Sequence, residues 1–178
     1  PEAATGAPTG DLLIDRDGLA PVERDTQMRL LAGGLQRVAS AAYRPRAQAL
    51  EALLDRALGG AGGTLHGVDL TVKAGHIRLA REFAALAGQE AQARPGLLWD
   101  GRWRLGDAVA EGLTLRALGP EGWAQRPENM DVTVPARAAW SWPALFEGDR
   151  LEACAPFGVG PKDAILLEEP DGAIWTHP

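Results

Sequence analysis

Lys73, His76 and Arg78 are the side chains whose types and spacing best suit chemistry, and the chemistry is anion binding. Apolar Val68, Leu70 and Val72 alternate with Asp69, Thr71 and Lys73, and His76-Ile77-Arg78-Leu79 resumes the alternation after Ala74-Gly75. A two-residue turn at Ala74-Gly75 sets Val72 opposite Ile77 and Leu70 opposite Leu79 on a buried side. Thr71, Lys73, His76 and Arg78 then share the wet side, where their cations suit phosphate groups. Arg81 breaks the alternation and is expected just past the paired region. Arg44 and Arg46 flank Pro45 and add two further cations. These six side chains, Arg44, Arg46, Lys73, His76, Arg78 and Arg81, are the candidate phosphate contacts. Charges solvated on an amphipathic hairpin give the same pattern, so the residues alone leave both readings open.

Other chemistry finds less support. The glycine run Gly59–Gly63 lacks the Gly-Lys-Ser/Thr ending of a phosphate loop and follows a helix, where such a loop follows a strand. It reads as a helix stop and strand entry. His66, His76 and His177 have no metal-ligand spacing. Cys154 is the only cysteine, which excludes an internal disulfide and a cysteine metal cluster and fits a reducing compartment. No nucleophile, base and orienting group can be assembled. Trp99, Trp103, Trp140, Trp142 and Trp175 fall at or near strand positions and Trp123 on a short helix, which favours packing over base stacking. Arg102 and Arg104 sit among acids and are weaker anion candidates; Glu168-Glu169 reads as solvated.

The elements that must position the cations are legible from period and punctuation. Leu31, Leu35, Val38 and Ala42 recur at helical spacing in a helix expected over Val22–Ala42. Gly33-Gly34 inside it suggests close packing against a neighbour. Tyr43-Arg44-Pro45 breaks that helix. A second is expected over Pro45–Leu58, with Pro45 at its first position, Leu50, Leu53, Leu54 and Leu58 on one face and Gly59-Gly60 at its end. The short connection predicts an antiparallel helix pair. Ahead of them, residues 1–10 read as a frayed end, Leu12–Ile14 as an edge strand or packing hook, and Asp15–Gly18 as a turn.

Residues 84–95 lack large side chains after Leu86 and read as a linker, so the expected domains are 1–90 and 91–178. Beyond it the period falls to two. Leu97–Leu105 reads as a hairpin about Asp100-Gly101, and Leu113 with Leu115 as a strand. Pro120–Gln125 and Val134–Ala139 read as helical turns, and Trp142–Ala155 as a second hairpin. Ala164–Leu167 and Ala173–Trp175 bracket a Pro-Asp-Gly turn and suggest a last one. The expected class is α+β: a small helical subdomain with a β-hairpin, then a small β-rich α+β domain.

Charge sharpens the contrast between segments. The 178 residues carry a net charge of −6. Residues 29–81 hold eight bases against three acids, whereas residues 1–28 hold six acids against two bases and residues 82–178 fifteen against eight. A basic middle between acidic ends is compatible with a phosphate-facing patch. No apolar run approaches the roughly 20 residues of a membrane-spanning helix. Pro1 in place of methionine suggests a processed chain or an expressed fragment.

RLLAGGLQRVASAAYRPRAQALEALLDRAL, then GTLHG and TVKAGHIRLARE, resembles the post-catalytic region of bacterial tRNA(Ile)-lysidine synthases. WSWPALFEGDRLEACAPFG looks like the strand pair of their C-terminal domain. The resemblance covers roughly residues 12–160 and fades from residue 158. Full-length members use an N-terminal PP-loop domain with a Ser-Gly-Gly-x-Asp-Ser motif to bind ATP with Mg. They adenylate the wobble cytidine of an isoleucine tRNA and let lysine displace AMP. That motif does not occur in these 178 residues. The resemblance therefore implies tRNA-docking parts with no catalytic residue and no cofactor of their own, acting in the cytoplasm. Its implied partners are tRNA(Ile) and the family's catalytic domain, with the helical part beside the anticodon arm and the last domain on the acceptor stem. The rival reading is a protein-interaction or scaffold module with an incidental basic face, which predicts an exposed apolar patch built from the tryptophans.

Overall fold

Leucines at helical spacing set the first layer of the fold. The structure, a computed structural model, describes residues 4–6 through their backbone and residues 9–128 and 134–168 in full. Helix α1 spans Arg16–Leu19, α2 Arg24–Ala39 and α3 Ala47–Leu58. Leu31, Leu35 and Val38 of α2 and Leu50, Leu53 and Leu54 of α3 are buried together, as the periodicity predicts; Ala57 joins them, Leu58 is only partly buried, and Ala42 lies exposed beyond α2. Burying each leucine contributes roughly 1.5–3 kcal/mol before cavity and strain effects. Both helices are shorter than expected. Ser40 takes a left-handed conformation (φ 51°) and closes α2, its N–H bonded to the Arg37 and Gln36 carbonyls. Pro45 stays ahead of α3, where extended Arg46 is the N-cap residue.

The expected hairpin is the centre of a larger sheet. Strands β1 (Ala4–Gly6), β2 (Leu12–Asp15), β3 (Gly63–Leu65), β4 (Val68–Lys73) and β5 (His76–Arg81) pair antiparallel in the order β1-β2-β5-β4-β3. The predicted register holds, with Leu70 opposite Leu79 and Val72 opposite Ile77. Ala74 and Gly75 both have positive φ (50° and 79°), as a tight two-residue hairpin turn requires. Four expectations fail here. Residues 4–6 are not part of a frayed end, because β1 pairs with β2. Leu12–Ile14 is not an edge: β2 lies between β1 and β5. Asp15–Gly18 is not a bare turn, because Asp15 accepts from the Asp17 N–H and caps α1. Arg81 is not past the ladder, because it pairs with Val68. Gly34 explains how closely α2 approaches the sheet: a Cβ there would lie 2.7 Å from Leu79 Cδ1 and 2.9 Å from Leu12 Cδ2.

The described residues divide into two compact units after Glu82, and the second begins at Phe83. Residues 84–95 are no linker. Phe83–Leu86 is a 3-10 turn with Leu86 buried, and β6 (Glu90–Gln92) joins a sheet. The second unit continues with β7 (Leu98–Trp99), β8 (Trp103–Leu105), β9 (Thr114–Ala117), α4 (Gly119–Ala124) and α5 (Ala136–Ala139). Strands β10 (Pro143–Glu147), β11 (Arg150–Ala153) and β12 (Ile165–Leu167) complete it. One sheet runs β11-β10-β9-β6 and another β12-β8-β7. The expected hairpins about Asp100-Gly101 and Gly148 form. Strand β12 pairs with β8; the other arm of the last expected hairpin, Ala173–Trp175, lies outside the described residues, as do Glu169 and His177. Helices with antiparallel sheets in both units make the class α+β, as predicted.

Trp99, Trp103 and Trp142 are at most 5% exposed, and Trp123 and Trp140 are partly buried. Edge contacts bind Trp140 to Phe83 and Trp142 to Phe157. The tryptophan patch required by the rival reading is not on the surface of the described residues. Cys154 is fully buried, and burial pushes its thiol up to about 12. Because only the thiolate attacks, Cys154 should resist a disulfide reagent at pH 8 until the unit unfolds. Prompt labelling of the native chain, read by absorbance, would overturn that burial.

Candidate nucleic-acid interface

The hairpin face brings Thr71, Lys73, His76 and Arg78 together, since Thr71 pairs with Arg78 and Lys73 with His76. It also brings acids. Strand β2 sets Leu13 opposite Arg78 and Asp15 opposite His76, and β4 adds Asp69. Arg78 Nη1 lies 2.7 Å from Asp11 Oδ2, and the Asp11 side chain is only 2% exposed. Arg78 thus neutralises a buried carboxylate. His76 Nδ1 is 2.9 Å from the Ala74 carbonyl oxygen, and Thr64 donates to Asp69 at 2.7 Å. Lys73 is exposed and has no ion pair among the described residues. With Asp11, Asp15 and Asp69 beside Lys73 and Arg78, the face has no cationic surplus.

Arg81 does not share that face. Two-residue periodicity places it with Leu79 and Ile77, on the helix side, and its Nη1 donates to the Gly67 carbonyl at 2.7 Å. Arg102 is buried beside Asp100 at 2.9 Å, and Arg104 is bonded to Glu168. Glu168 is therefore an ion-pair partner and not a merely solvated acid. A cavity of about 950 Å³ in the second unit is lined by Glu90, Glu121 and Asp149 against Arg116, a balance unsuited to phosphate.

The connection between α2 and α3 is different. Residues 26–50 contain four arginines and no acid. Arg29 is paired with Asp25 at 2.6 Å. Arg44 and Arg46 are exposed, Arg37 is half-buried, and none of these three has an ion pair among the described residues. The acids of α3, Glu51 and Asp55, are taken by Arg24 at 3.4 and 2.7 Å. Hydrogen bonding to Asp55, above all, raises the Arg24 guanidinium pKa from its usual value. The first turn of α3 carries no acid and no side-chain cap, so its N–H groups add a positive end beside Arg44 and Arg46.

The two clusters are far apart. Arg16 N–H donates to the Gly75 carbonyl, and Gln27 on the first turn of α2 donates to the Leu19 and Ala20 carbonyls. The hairpin turn therefore lies by the start of α2, whereas the connection follows its end. Sixteen residues of helix separate them, about 24 Å at 1.5 Å per residue. The run Gly59–Gly63 joins α3 to β3, a helix-to-strand junction and not the strand-to-helix turn of a phosphate loop. Among the described residues, no three His, Cys, Asp or Glu side chains group as a metal site would need, and no helix is long and apolar enough to cross a membrane.

Over 154 residues the chain is 30% identical to a tRNA(Ile)-lysidine synthase of Ruegeria pomeroyi. The match takes in 84% of this chain and 35% of that protein, so the chain spans about a third of its relative's length. It bears out the family resemblance read from the motifs. No family model matches the chain, and no solved structure matches it.

Proposed function

We propose that this chain is the post-catalytic portion of a tRNA(Ile)-lysidine synthase and that it binds tRNA(Ile), chiefly through the α2–α3 connection. The observation that carries the reading is the match covering most of this chain and about a third of its relative. The acid-free run with exposed Arg44 and Arg46 supplies the surface. In this reading the ligation belongs to a PP-loop domain outside the present sequence, acting in the cytoplasm. That domain uses ATP with Mg to adenylate the wobble cytidine, and lysine then displaces AMP. This portion contributes binding energy and orientation, which turns an encounter into a positioned one.

A filter-binding titration of the 178-residue chain with isoleucine tRNA at two salt concentrations tests it. Each neutralised phosphate steepens the dependence of log affinity on log salt by about 0.7–0.9. The double variant Arg44→Glu/Arg46→Glu should flatten the slope by roughly 1.4–1.8 and leave the melting temperature unchanged. Lys73→Glu should flatten it by less. Absence of binding at low salt, or binding without salt dependence, overturns the reading. A flatter slope from Lys73→Glu alone would move the contact to the hairpin.

A further inference from the structure

Tyr43 is 83% exposed, the one Phe, Tyr or Trp side chain among the described residues that stands in solvent. An aromatic ring usually buries its faces because they are large and apolar. The backbone that carries this ring is also held in place. Ser40 closes α2 just before it, and Gln36 Nε2 donates to the Ala41 and Ala42 carbonyls at 3.4 and 3.5 Å. Two residues later Pro45 is buried. The ring is thus presented on a short turn anchored at both ends, and the exposed Arg44 and Arg46 follow it in the chain.

An exposed aromatic face followed by two exposed cations, Arg44 and Arg46, suits one kind of occupant. An unpaired nucleotide offers a base face to stack and phosphates on either side. A duplex keeps its base faces stacked inside and offers only phosphates. A protein segment would be drawn by apolar area, but among the described residues of the first unit no other large hydrophobic side chain is exposed. We infer that Tyr43 stacks on an unpaired base of the bound RNA while Arg44 and Arg46 hold the flanking phosphates. The inference rests on the tRNA-binding reading and narrows it to a single-stranded part of the tRNA.

The test uses the full chain with three probes: isoleucine tRNA, an oligoadenylate and a blunt RNA duplex. Oligoadenylate should compete with the tRNA better than the duplex does. Tyr43→Ala should weaken tRNA and oligoadenylate binding roughly tenfold, with the salt slope and the weak duplex binding unchanged. Tyr43→Phe, which keeps the ring face, should bind as the parent does. If Tyr43→Ala binds tRNA as tightly as the parent and with the same salt slope, the stacking inference fails and the tRNA reading stands. If Tyr43→Ala weakens duplex binding equally, the contact is not to an unpaired base. If the parent chain shows no salt-dependent tRNA binding, both fail.

Discussion

Arg78→Met is expected to destabilise the first unit by about 3 kcal/mol, the cost of removing one partner of a buried ion pair. The Asp11 carboxylate cannot follow its lost partner into water. Its side chain is 2% exposed, and the adjoining Leu12 is fixed in the ladder opposite Leu79. For a unit of this size that loss lowers the melting temperature by roughly 12–24 °C. Calorimetry or circular dichroism checks it. The double variant Asp11→Leu/Arg78→Met should recover much of the loss, because an apolar pair replaces the ionic one without stranding a charge. RNA binding measured well below the melting temperature should keep its salt slope. The opposite outcome, an unchanged melt with a flatter slope, would make Arg78 an RNA contact and return the interface to the hairpin. The contrast with Arg44→Glu/Arg46→Glu is sharp: there the melt stays and the slope moves.

Arg78 also shows where the sequence stops being legible. Its face was readable, because alternation over a six-residue strand and a two-residue turn fixes which side chains point together. Its partner was not. Asp11 lies 67 residues away in sequence, beside a four-residue strand too short to declare its neighbours. Once β2 takes its place against β5, Asp11 and Asp15 cancel a surplus that exists only when charge is counted along the chain. The helices were readable for the same local reason, and so was the arginine-flanked break between them. That the break and the hairpin turn occupy opposite ends of α2 follows from packing, and no short motif encodes it.

Arg81 and residues 84–95 illustrate a second limit. Ala80 beside Leu79 looks like a lapse in alternation, yet the ladder runs on to Arg81 because backbone hydrogen bonds do not depend on side-chain type. The same holds for β6, where Glu90, Ala91 and Gln92 pair with Arg116, Leu115 and Thr114 without a large residue among the three. One missed element did carry a signal. His66 and Gly67 both have positive φ (60° and 72°), so Leu65-His66-Gly67-Val68 is a hairpin turn of the kind seen at Ala74-Gly75. Histidine is among the residues that tolerate this region, and the glycine after it marks the turn.

Gly106→Ala should be the most damaging single-methyl change in the second unit. Gly106 follows β8, and its N–H donates to the Ala164 carbonyl at 3.1 Å. A Cβ at this position would collide with the Asp163 carbonyl oxygen, a backbone atom with no rotamer to yield. The chain has two responses. It can force β8 and β12 apart, or it can peel off β12, which has no strand on its other side among the described residues. Either response exposes Ala164 and Ile165, which are 1% and 3% exposed in the intact unit. Overpacking of a close backbone approach costs about 1–3 kcal/mol, and the absence of a yielding side chain puts Gly106→Ala at about 3 kcal/mol. Denaturant unfolding measures the loss. Limited proteolysis separates the two responses, since peeling opens residues 161–168 to cleavage while the rest of the unit stays protected. A melt within about 0.5 kcal/mol of the parent, the range of a neutral surface substitution, would mean that β12 does not sit against Gly106 as described.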